Sequence, residues 1–273
     1  MQTSQIARKA SGTKSGSAGA PITVVVLGGL DPGGGAGLLR DVFTARSLGA
    51  HPLAVGTAWT EQSAGVHRVE ARAAEALRDS VRHAIATRAA AVKIGMVCDA
   101  AQAAAIVEGL DGFGGPVVVD PVLATSRGGR LFAGTPDELE PLLRRATLVT
   151  PNAPEAAILT GRPVDDLATA AEAAQVLVTR GAEAALIKGG HLPGAEVTDT
   201  LFSSAALERL SRPRVVGPDV RGTGCALATA IAVHLGRGLA LLPAVERATA
   251  WLAQAIAGAA EVDLADHTER HLG

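Results

Sequence analysis

The chain is best interpreted from one segment, Val220-Arg221-Gly222-Thr223-Gly224-Cys225-Ala226-Leu227. Polar, irregular sequence precedes this segment, and an Ala/Leu/Ile run at helical spacing continues from it to Leu235. The spacing predicts that Gly-Thr-Gly-Cys lies where a loop becomes a helix. The start of a helix exposes unpaired N–H groups and the positive end of the helix dipole, which together favour a bound anion such as a phosphate in transit.

The same positive field favours a thiolate at Cys225, which predicts a lowered pKa and a role as a base. Gly222 and Gly224 would let the backbone come close to a ligand. The alternative is an ordinary helix start with a buried, inert cysteine. The turn alone leaves both interpretations open.

The composition is that of a globular protein. Of the 273 residues, 48% are hydrophobic and 19% are charged, which is enough for a large core. A formal net charge of −2 gives no support for nucleic-acid or anionic-membrane partners, and 2% aromatic residues with no Tyr argues against base-stacking surfaces. The two cysteines, Cys98 and Cys225, form neither a disulfide framework nor a metal cluster, which predicts a cytoplasmic location. No apolar run is long enough to predict a membrane span.

The order of predicted elements indicates one α/β domain. Residues 1–20 are rich in Ser, Gly, Lys and Ala and are expected to be a disordered extension, so the domain is placed at 21–273. Strands and helices alternate after that point, which predicts a mostly parallel central sheet with helices on both faces. Residues 57–69 are expected to form a flap or a short strand pair over a site, and the polar residues from Val262 onward are expected to be frayed. The predicted strands are 22–27, 52–56, 91–94, 117–119, 148–150, 184–187, 197–202 and 207–216; the predicted helices are 38–48, 73–88, 99–110, 136–145, the segment ending at Leu159, 166–180, the run beginning at Cys225, and 243–260.

Several predicted strands end in polar or glycine-rich sequence. In an open α/β sheet, the carboxyl ends of parallel strands face the ligand crevice. The glycine loop at 28–37 matches neither the P-loop nor the dinucleotide fingerprint, and its acidic surroundings suggest that it holds polar groups of a ligand. A tight strand-to-helix crossing that needs small residues is the alternative.

The other strand ends also allow a structural explanation. Asp120 could be a strand-end carboxylate with no ligand. Asn152 and Glu155 have the spacing of a helix cap and a first-turn acid. Lys188 could be a solvated surface lysine.

Taken in order, these segments resemble the ribokinase-like superfamily, and more narrowly the hydroxymethylpyrimidine/phosphomethylpyrimidine kinases of thiamin biosynthesis. The resemblance extends from about Val24 to Ala255. The matching motifs are Leu30-Asp31-Pro32 to Gly37 with Asp41, Lys93-Ile94-Gly95-Met96, Val118-Val119-Asp120-Pro121-Val122, Thr150-Pro151-Asn152-Ala153-Pro154-Glu155-Ala156, Lys188-Gly189-Gly190-His191 and Gly222-Thr223-Gly224-Cys225. The resemblance implies a ribokinase-like fold with a small flap over the substrate site. Sugar kinases of the superfamily carry Asp as the base at the last turn, whereas the pyrimidine kinases carry Cys, as this chain does.

The resemblance also implies residue roles. Cys225 would take the proton of the substrate hydroxymethyl group, and the backbone of Gly222, Thr223 and Gly224 would stabilise the transferring phosphoryl group. Lys188 would complete the catalytic group and bind ATP, together with Asn152, Gly222 and Gly224, and Asp120 and Glu155 would hold magnesium. The implied substrate-binding residues are Gly29, Asp31, Asp41, Gln62, Met96 and Val122.

The implied activity is ATP-dependent phosphorylation of 4-amino-5-hydroxymethyl-2-methylpyrimidine and then of its monophosphate. Mg²⁺ and ATP are the expected cofactors, and a monovalent cation and a homodimer remain open. Two alternatives also remain: a kinase for pyridoxal or another hydroxymethyl heterocycle, and a non-catalytic pyrimidine sensor. The family usually has His before Gly-Thr-Gly-Cys, and this chain has Arg221 there. Because Arg suits phosphate, one hypothesis is that Arg221 binds an anionic acceptor.

Overall fold

Buried β-branched segments form the centre of the structure. It is a computed structural model that describes residues 21–61, 68–124, 129–215, 220–263 and 268–272. The strands are β1 (Thr23–Leu30), β2 (His51–Glu61), β3 (Arg68–Ala71), β4 (Ala91–Ile94), β5 (Val117–Val119), β6 (Leu148–Val149), β7 (Ala184–Ile187), β8 (Glu196–Ser203), β9 (Leu207–Pro213), β10 (Val220–Arg221), β11 (Ala260–Asp263) and β12 (Thr268–His271).

Nine strands form one sheet in the order β3-β2-β1-β4-β5-β6-β7-β8-β9. The strands from β2 to β7 in this order are parallel, and β3, β8 and β9 join antiparallel at the two edges. The mostly parallel sheet that the alternating pattern predicts is therefore confirmed. All six parallel strands end at the same edge, which brings the polar residues after them together.

The helices are α1 (Gly37–Ser47), α2 (Ala74–Ile85), α3 (Ala100–Gly109), α4 (Glu140–Arg145), α5 (Ala153–Thr160), α6 (Leu167–Thr179), α7 (Thr223–Gly236) and α8 (Leu241–Ala257). They pack on both faces of the sheet. Side chains alternate across β1, so that Val25 and Leu27 face the core with α2 to α6, whereas Val24 and Val26 face the core with α1, α7 and α8. Both cores consist mainly of aliphatic side chains, in keeping with the low aromatic content, and Phe132 is buried in the first of them.

Most element bounds differ from the predictions by a few residues, and two elements differ more. The segment 136–145 begins as a 3-10 helix at Pro136–Leu139 before α4, because Thr135 and Glu138 form a capping box around Pro136. The strand predicted at 52–56 continues as β2 to Glu61 and pairs antiparallel with β3, which gives the strand pair expected at 57–69. Residues 62–67, which connect β2 and β3 in the sequence, and residues 1–20 lie outside the described residues.

The prediction that the chain frays from Val262 onward is wrong. There β11 and β12 form an antiparallel pair, and β12 also pairs with β10 just before Gly222. The residues of β12 are polar, but Glu269 in this strand is only 8% exposed, and Leu272 directly after it is only 5% exposed. Long-range contacts with the crevice, rather than local propensity, hold this segment in place.

Candidate active site

The start of α7 lies at the carboxyl edge of the sheet. Gly222 is its N-terminal cap, with φ +74°, a left-handed conformation that glycine adopts without strain. A Cβ at position 222 would overlap the carbonyl oxygen of Gly35, so the Gly-Thr-Gly-Cys turn packs directly on the glycine loop. Helix geometry leaves the first amides of α7 without partners inside the helix, as an anion site requires.

Lys188 and Asp120 meet in front of this turn. Lys188 follows β7, Asp120 follows β5, and the lysine Nζ lies 2.6 Å from the Asp120 Oδ1. A Cβ at Gly224 would lie 3.0 Å from the same Nζ and 3.9 Å from Asp120 Oδ2. The side chain of Lys188 is only 12% exposed, so it is not the solvated surface lysine that the sequence left open. A lysine, a carboxylate and a helix start therefore share one small space.

Electrostatics in this space favour a charged pair. Burial alone would raise the pKa of Asp120, but Lys188 and Lys93 outweigh it and hold that pKa below its ordinary value. Burial would lower the pKa of Lys188, yet Asp120 and Glu155 raise it. Lys188 therefore remains a cation beside the start of α7.

Asn152 and Glu155 form a helix cap at the start of α5, which is one of the two roles that the sequence left open for them. Asn152 Oδ1 accepts the N–H of Glu155 at 2.9 Å, and Glu155 Oε2 accepts the N–H of Asn152 at 2.8 Å. A backbone bridge joins Asn152 to Lys188. The cap therefore fixes Glu155 close to the Lys188–Asp120 pair, which leaves its predicted metal role intact.

The carboxylates of Asp120 and Glu155 fit magnesium. Burial raises the pKa of Glu155 to about 7; Lys188 opposes this shift, and the charge of Asp120 adds to it. A divalent cation would relieve that repulsion. Within the described ranges, His, Cys, Asp and Glu do not gather in groups of three or more that could hold a metal. Two protein carboxylates, with water and phosphates supplying the other ligands, is a usual arrangement for Mg²⁺.

Cys225 lies in the first turn of α7, but its ionisation differs from the prediction. Burial raises the pKa of its thiol to about 11, and the negative charges of Asp41 and Asp120 add to this effect. Lys93 and a hydrogen bond from the Gly37 backbone act in the opposite direction and do not compensate. The prediction of a lowered pKa is therefore wrong, because the helix start is surrounded by carboxylates inside a desolvated pocket.

The predicted substrate residues divide into two groups. Gly29 lies against Met96, since a Cβ at position 29 would be 2.6 Å from the Met96 Sδ. Met96 and Val122 pack together with three other side chains, which are those of Ala58, Cys98 and Leu131. This group forms an apolar wall beside the glycine loop, and its contact with a substrate stays a prediction.

Asp31 and Asp41 are held by protein partners. Asp31 Oδ1 accepts the N–H of Gly33 at 3.2 Å, and its Oδ2 accepts from Arg221 at 3.1 Å. Asp41 is fully buried and pairs with Lys93 and Thr229, so its predicted contact with the substrate also stays a prediction. Gln62 lies outside the described residues.

Sequence reasoning gave no role to four residues around this crevice. Lys93, quoted only as part of a motif, is fully buried in β4, where a lysine inside the apolar run Ala-Val-Lys-Ile was the available signal of a buried partner. Arg40, Glu269 and His271 had no comparable signal; Arg40 contacts Leu272 across 232 positions of the chain, and Glu269 contacts Arg221 across 48. Arg221 was noted, but as a phosphate ligand; its guanidinium instead contacts two carboxylates.

Comparison with known proteins agrees with this geometry. The family described as phosphomethylpyrimidine kinase matches residues 31–269. A hydroxymethylpyrimidine/phosphomethylpyrimidine kinase of Rhizobium meliloti is 42% identical over 247 residues, covering 87% of this chain and 91% of the relative. The enzyme of the same name from Streptomyces coelicolor is 38% identical over 240 residues, covering 86% of this chain and 89% of the relative.

Solved structures share the fold. A phosphomethylpyrimidine kinase from Clostridium difficile superposes with a TM-score of 0.73 at 28% identity, covering 86% of this chain and 99% of the other. The pyridoxal kinase from Staphylococcus aureus in complex with ADP gives a TM-score of 0.81 at 25% identity, covering 90% of this chain and 91% of the other. The ribokinase-like fold is therefore confirmed. No helix among the described residues is both long and apolar enough to span a bilayer.

Proposed function

The chain belongs to the phosphomethylpyrimidine kinase family, and we propose that it phosphorylates 4-amino-5-hydroxymethyl-2-methylpyrimidine and then the resulting monophosphate, for thiamin biosynthesis. The family makes it an ATP-dependent phosphotransferase. The observation that carries the proposal is the convergence of Lys188, Asp120 and the start of α7 at one point, beside the wall that contains Met96. Phosphoryl transfer depends mainly on positioning and electrostatic stabilisation, which such a convergence supplies.

In the first transfer, the hydroxymethyl oxygen forms a bond to the γ-phosphorus as the bond from that phosphorus to the β–γ bridging oxygen breaks. ADP leaves with the electron pair of the broken bond. Lys188 and the amides of Gly222 to Cys225 stabilise the negative charge on the moving group. Asn152 would contribute to ATP binding beside Lys188, to which its backbone is bridged.

Cys225 would accept the proton of the hydroxymethyl group at its Sγ. With a pKa of about 11, the thiol is mostly protonated at neutral pH, so the basic form is a minor species whose abundance rises with pH. Lys93 is the nearby cation that favours the thiolate. Burial therefore reduces the fraction of Cys225 that is present as thiolate, and the charge of the buried Lys93 increases that fraction.

Asp120 and Glu155 would hold Mg²⁺, which when bound supplies positive charge to the nucleotide phosphates. The proposal leaves open a monovalent cation and a homodimer. The acceptor pocket would be formed by Gly29, Met96 and Val122, with Gln62 on the flap.

Substrate profiling tests the assignment. ADP release is measured with Mg-ATP and three acceptors in parallel: the hydroxymethylpyrimidine, its monophosphate and pyridoxal. Turnover of both pyrimidines is the expected result. Turnover of pyridoxal alone would show that the acceptor is pyridoxal, the alternative that the similarity to a pyridoxal kinase favours. No turnover with any acceptor, while the pyrimidine still binds, would overturn the proposal in favour of a sensor.

A further inference from the structure

The C-terminal strand β12 reaches the crevice. It pairs in parallel with β10, with Val220 opposite Arg270 and Arg221 opposite His271. Gly222 follows directly, so β12 lies beside the turn that starts α7. The end of the chain is therefore a neighbour of the candidate active site.

Glu269 of β12 is the centre of a buried charge network. Its Oε1 and Oε2 accept hydrogen bonds from Arg221 Nη1 at 3.1 and 3.0 Å, respectively. Its Oε2 also lies 3.1 Å from His271 Nε2. The second guanidinium nitrogen of Arg221 donates to Asp31 Oδ2 at 3.1 Å. Arg221 thus bridges a carboxylate of the C-terminal strand and a carboxylate of the glycine loop, with the planar donor geometry that only arginine offers. The side chains of Asp31 and Glu269 are 6% and 7% exposed, so each needs this partner.

The network packs against one side of the glycine loop. A Cβ at Gly35 would lie 2.8 Å from His271 Nε2 and 3.5 Å from Arg221 Cβ, while the Gly35 carbonyl oxygen packs on Gly222. Arg40 adds a second connection, because it donates to the Leu272 carbonyl at 2.8 Å and to the Gly34 carbonyl at 3.3 Å. Arg40 and Arg221 therefore both connect the glycine loop to the C-terminal segment.

We propose that Glu269 is a positioning residue for the acceptor: through Arg221 and Asp31 it holds the glycine loop against the Gly222–Cys225 turn. The position of this loop sets the distance between an acceptor hydroxyl and Cys225. Arg221 and His271, which contact Glu269, lie on the side of the crevice that holds the glycine loop. Lys188 contacts Asp120 and Asn152 on the other side. Loss of Glu269 should therefore affect the acceptor more than ATP. This inference rests on the proposed function.

The first test is a steady-state comparison of Glu269→Gln with wild type. With Mg-ATP saturating, KM for the hydroxymethylpyrimidine is expected to rise about tenfold, whereas KM for ATP stays the same. Glu261→Gln on the adjacent strand β11 is the matched control, because Glu261 is exposed and the change is identical. Arg221→Lys is the second variant, since it keeps the positive charge but cannot bridge both carboxylates. It should reproduce the Glu269→Gln result, and the double variant should add little to either single change.

The second test needs no substrate. Amide hydrogen exchange of a peptide covering the glycine loop should become faster in Glu269→Gln, whereas a peptide covering β7 should not change. This measurement separates the inference from the proposed function: wild type that turns over no pyrimidine would sink the function, and unchanged exchange in the loop would sink the positioning role. Equal increases in KM for acceptor and ATP, with a lower melting temperature, would show a merely structural role and overturn the inference.

Discussion

Lys93 and Asp41 form an ion pair of 2.7 Å in which neither side chain is more than 1% exposed. The pair joins β4 to α1 beneath the crevice, and Thr229 of α7 donates to the other Asp41 oxygen at 2.9 Å. Burial raises the pKa of Asp41 to about 6, with Lys93 opposing the shift. Burial would lower the pKa of Lys93, but Asp41, Cys225 and Asp120 raise it, so both groups are charged at neutral pH.

Lys93→Met leaves the Asp41 carboxylate buried without its cation. We expect the free energy of unfolding in urea to fall by about 3–5 kcal/mol at pH 8. The loss should be smaller at pH 5, where Asp41 can take up a proton. The double variant Lys93→Met/Asp41→Leu is the control, because an apolar pair can replace a buried ion pair with little loss. A single variant as stable as the double would contradict this account.

Cys225→Ala should separate the two phosphorylations. The first acceptor is an alcohol whose proton must be removed, and loss of a base typically lowers kcat by about 10²–10⁴-fold. The second acceptor is a phosphate oxygen that is already largely ionised at neutral pH. We therefore expect a much smaller loss of kcat with the monophosphate, measured as ADP release. Equal losses with both acceptors would show that Cys225 acts by another route than proton removal.

The ionisation of Cys225 can be measured directly. Iodoacetamide reacts with the thiolate, so the alkylation rate at Cys225, followed by peptide mass spectrometry, should still be rising at pH 10, because the pKa is raised to about 11. Cys98, whose pKa is also raised to about 11 by burial and by Asp99, provides an internal comparison. A plateau for Cys225 below pH 8 would restore the low-pKa thiolate that the helix start alone predicts.

Glu155 should make stability depend on pH in metal-free buffer. Its pKa is about 7 in the folded protein against an ordinary value of 4.5, so the folded state keeps a proton that the unfolded state has lost between these values. Stability therefore falls as pH rises through this window, by about 3 kcal/mol in total. Glu155→Gln keeps an acceptor for the Asn152 N–H and should remove this dependence. Urea unfolding of both proteins at pH 4.5 and pH 8 gives the comparison; parallel losses in the two would count against it.

Gly222→Ala should impair the crevice, because φ is +74° there and the new Cβ would overlap the Gly35 carbonyl oxygen. Gly238, just beyond the other end of α7, is a matched control with φ +84° and open space around it. Both changes carry the cost of a left-handed alanine, about 1–2 kcal/mol. Only Gly222→Ala should also lower kcat/KM, by about 10²-fold, since it displaces the loop. Similar kinetics for the two variants would mean that the contact with Gly35 is unimportant.

The sheet could be predicted because its central strands are buried on both faces. Runs such as Val24 to Leu27 and Val117 to Val119 can form little else, and the residues after them necessarily meet at one edge. The approach of Asp120 and Lys188 follows from that rule. Gly224 follows β10 of the three-stranded sheet, so its place beside them was expected from the family resemblance rather than from the strand pattern.

The remaining parts depend on contacts that local sequence does not encode. Thr268–His271 has no apolar period, yet it forms a strand that pairs with β10 and β11. Arg221 contacts Glu269 in this strand, and Arg40 donates to the carbonyl of Leu272 directly after it. The helix start suggested a thiolate at Cys225, but burial raises the pKa of the thiol, and the charges of Asp41 in α1 and Asp120 after β5 add to this shift. Charge and burial at a point where several segments meet require the assembled fold.

The C-terminal connection has a consequence for folding. Arg40 reaches Leu272 across 232 positions of the chain, and Arg221 reaches Asp31 across 190. Contacts this distant in sequence close the largest loops and form late, whereas neighbouring β-α-β units can assemble early. A refolding chain would therefore form its helices and most of its sheet before it forms an active crevice. Recovery of activity would lag behind recovery of secondary structure, and the crevice would be among the first regions to open under mild denaturant.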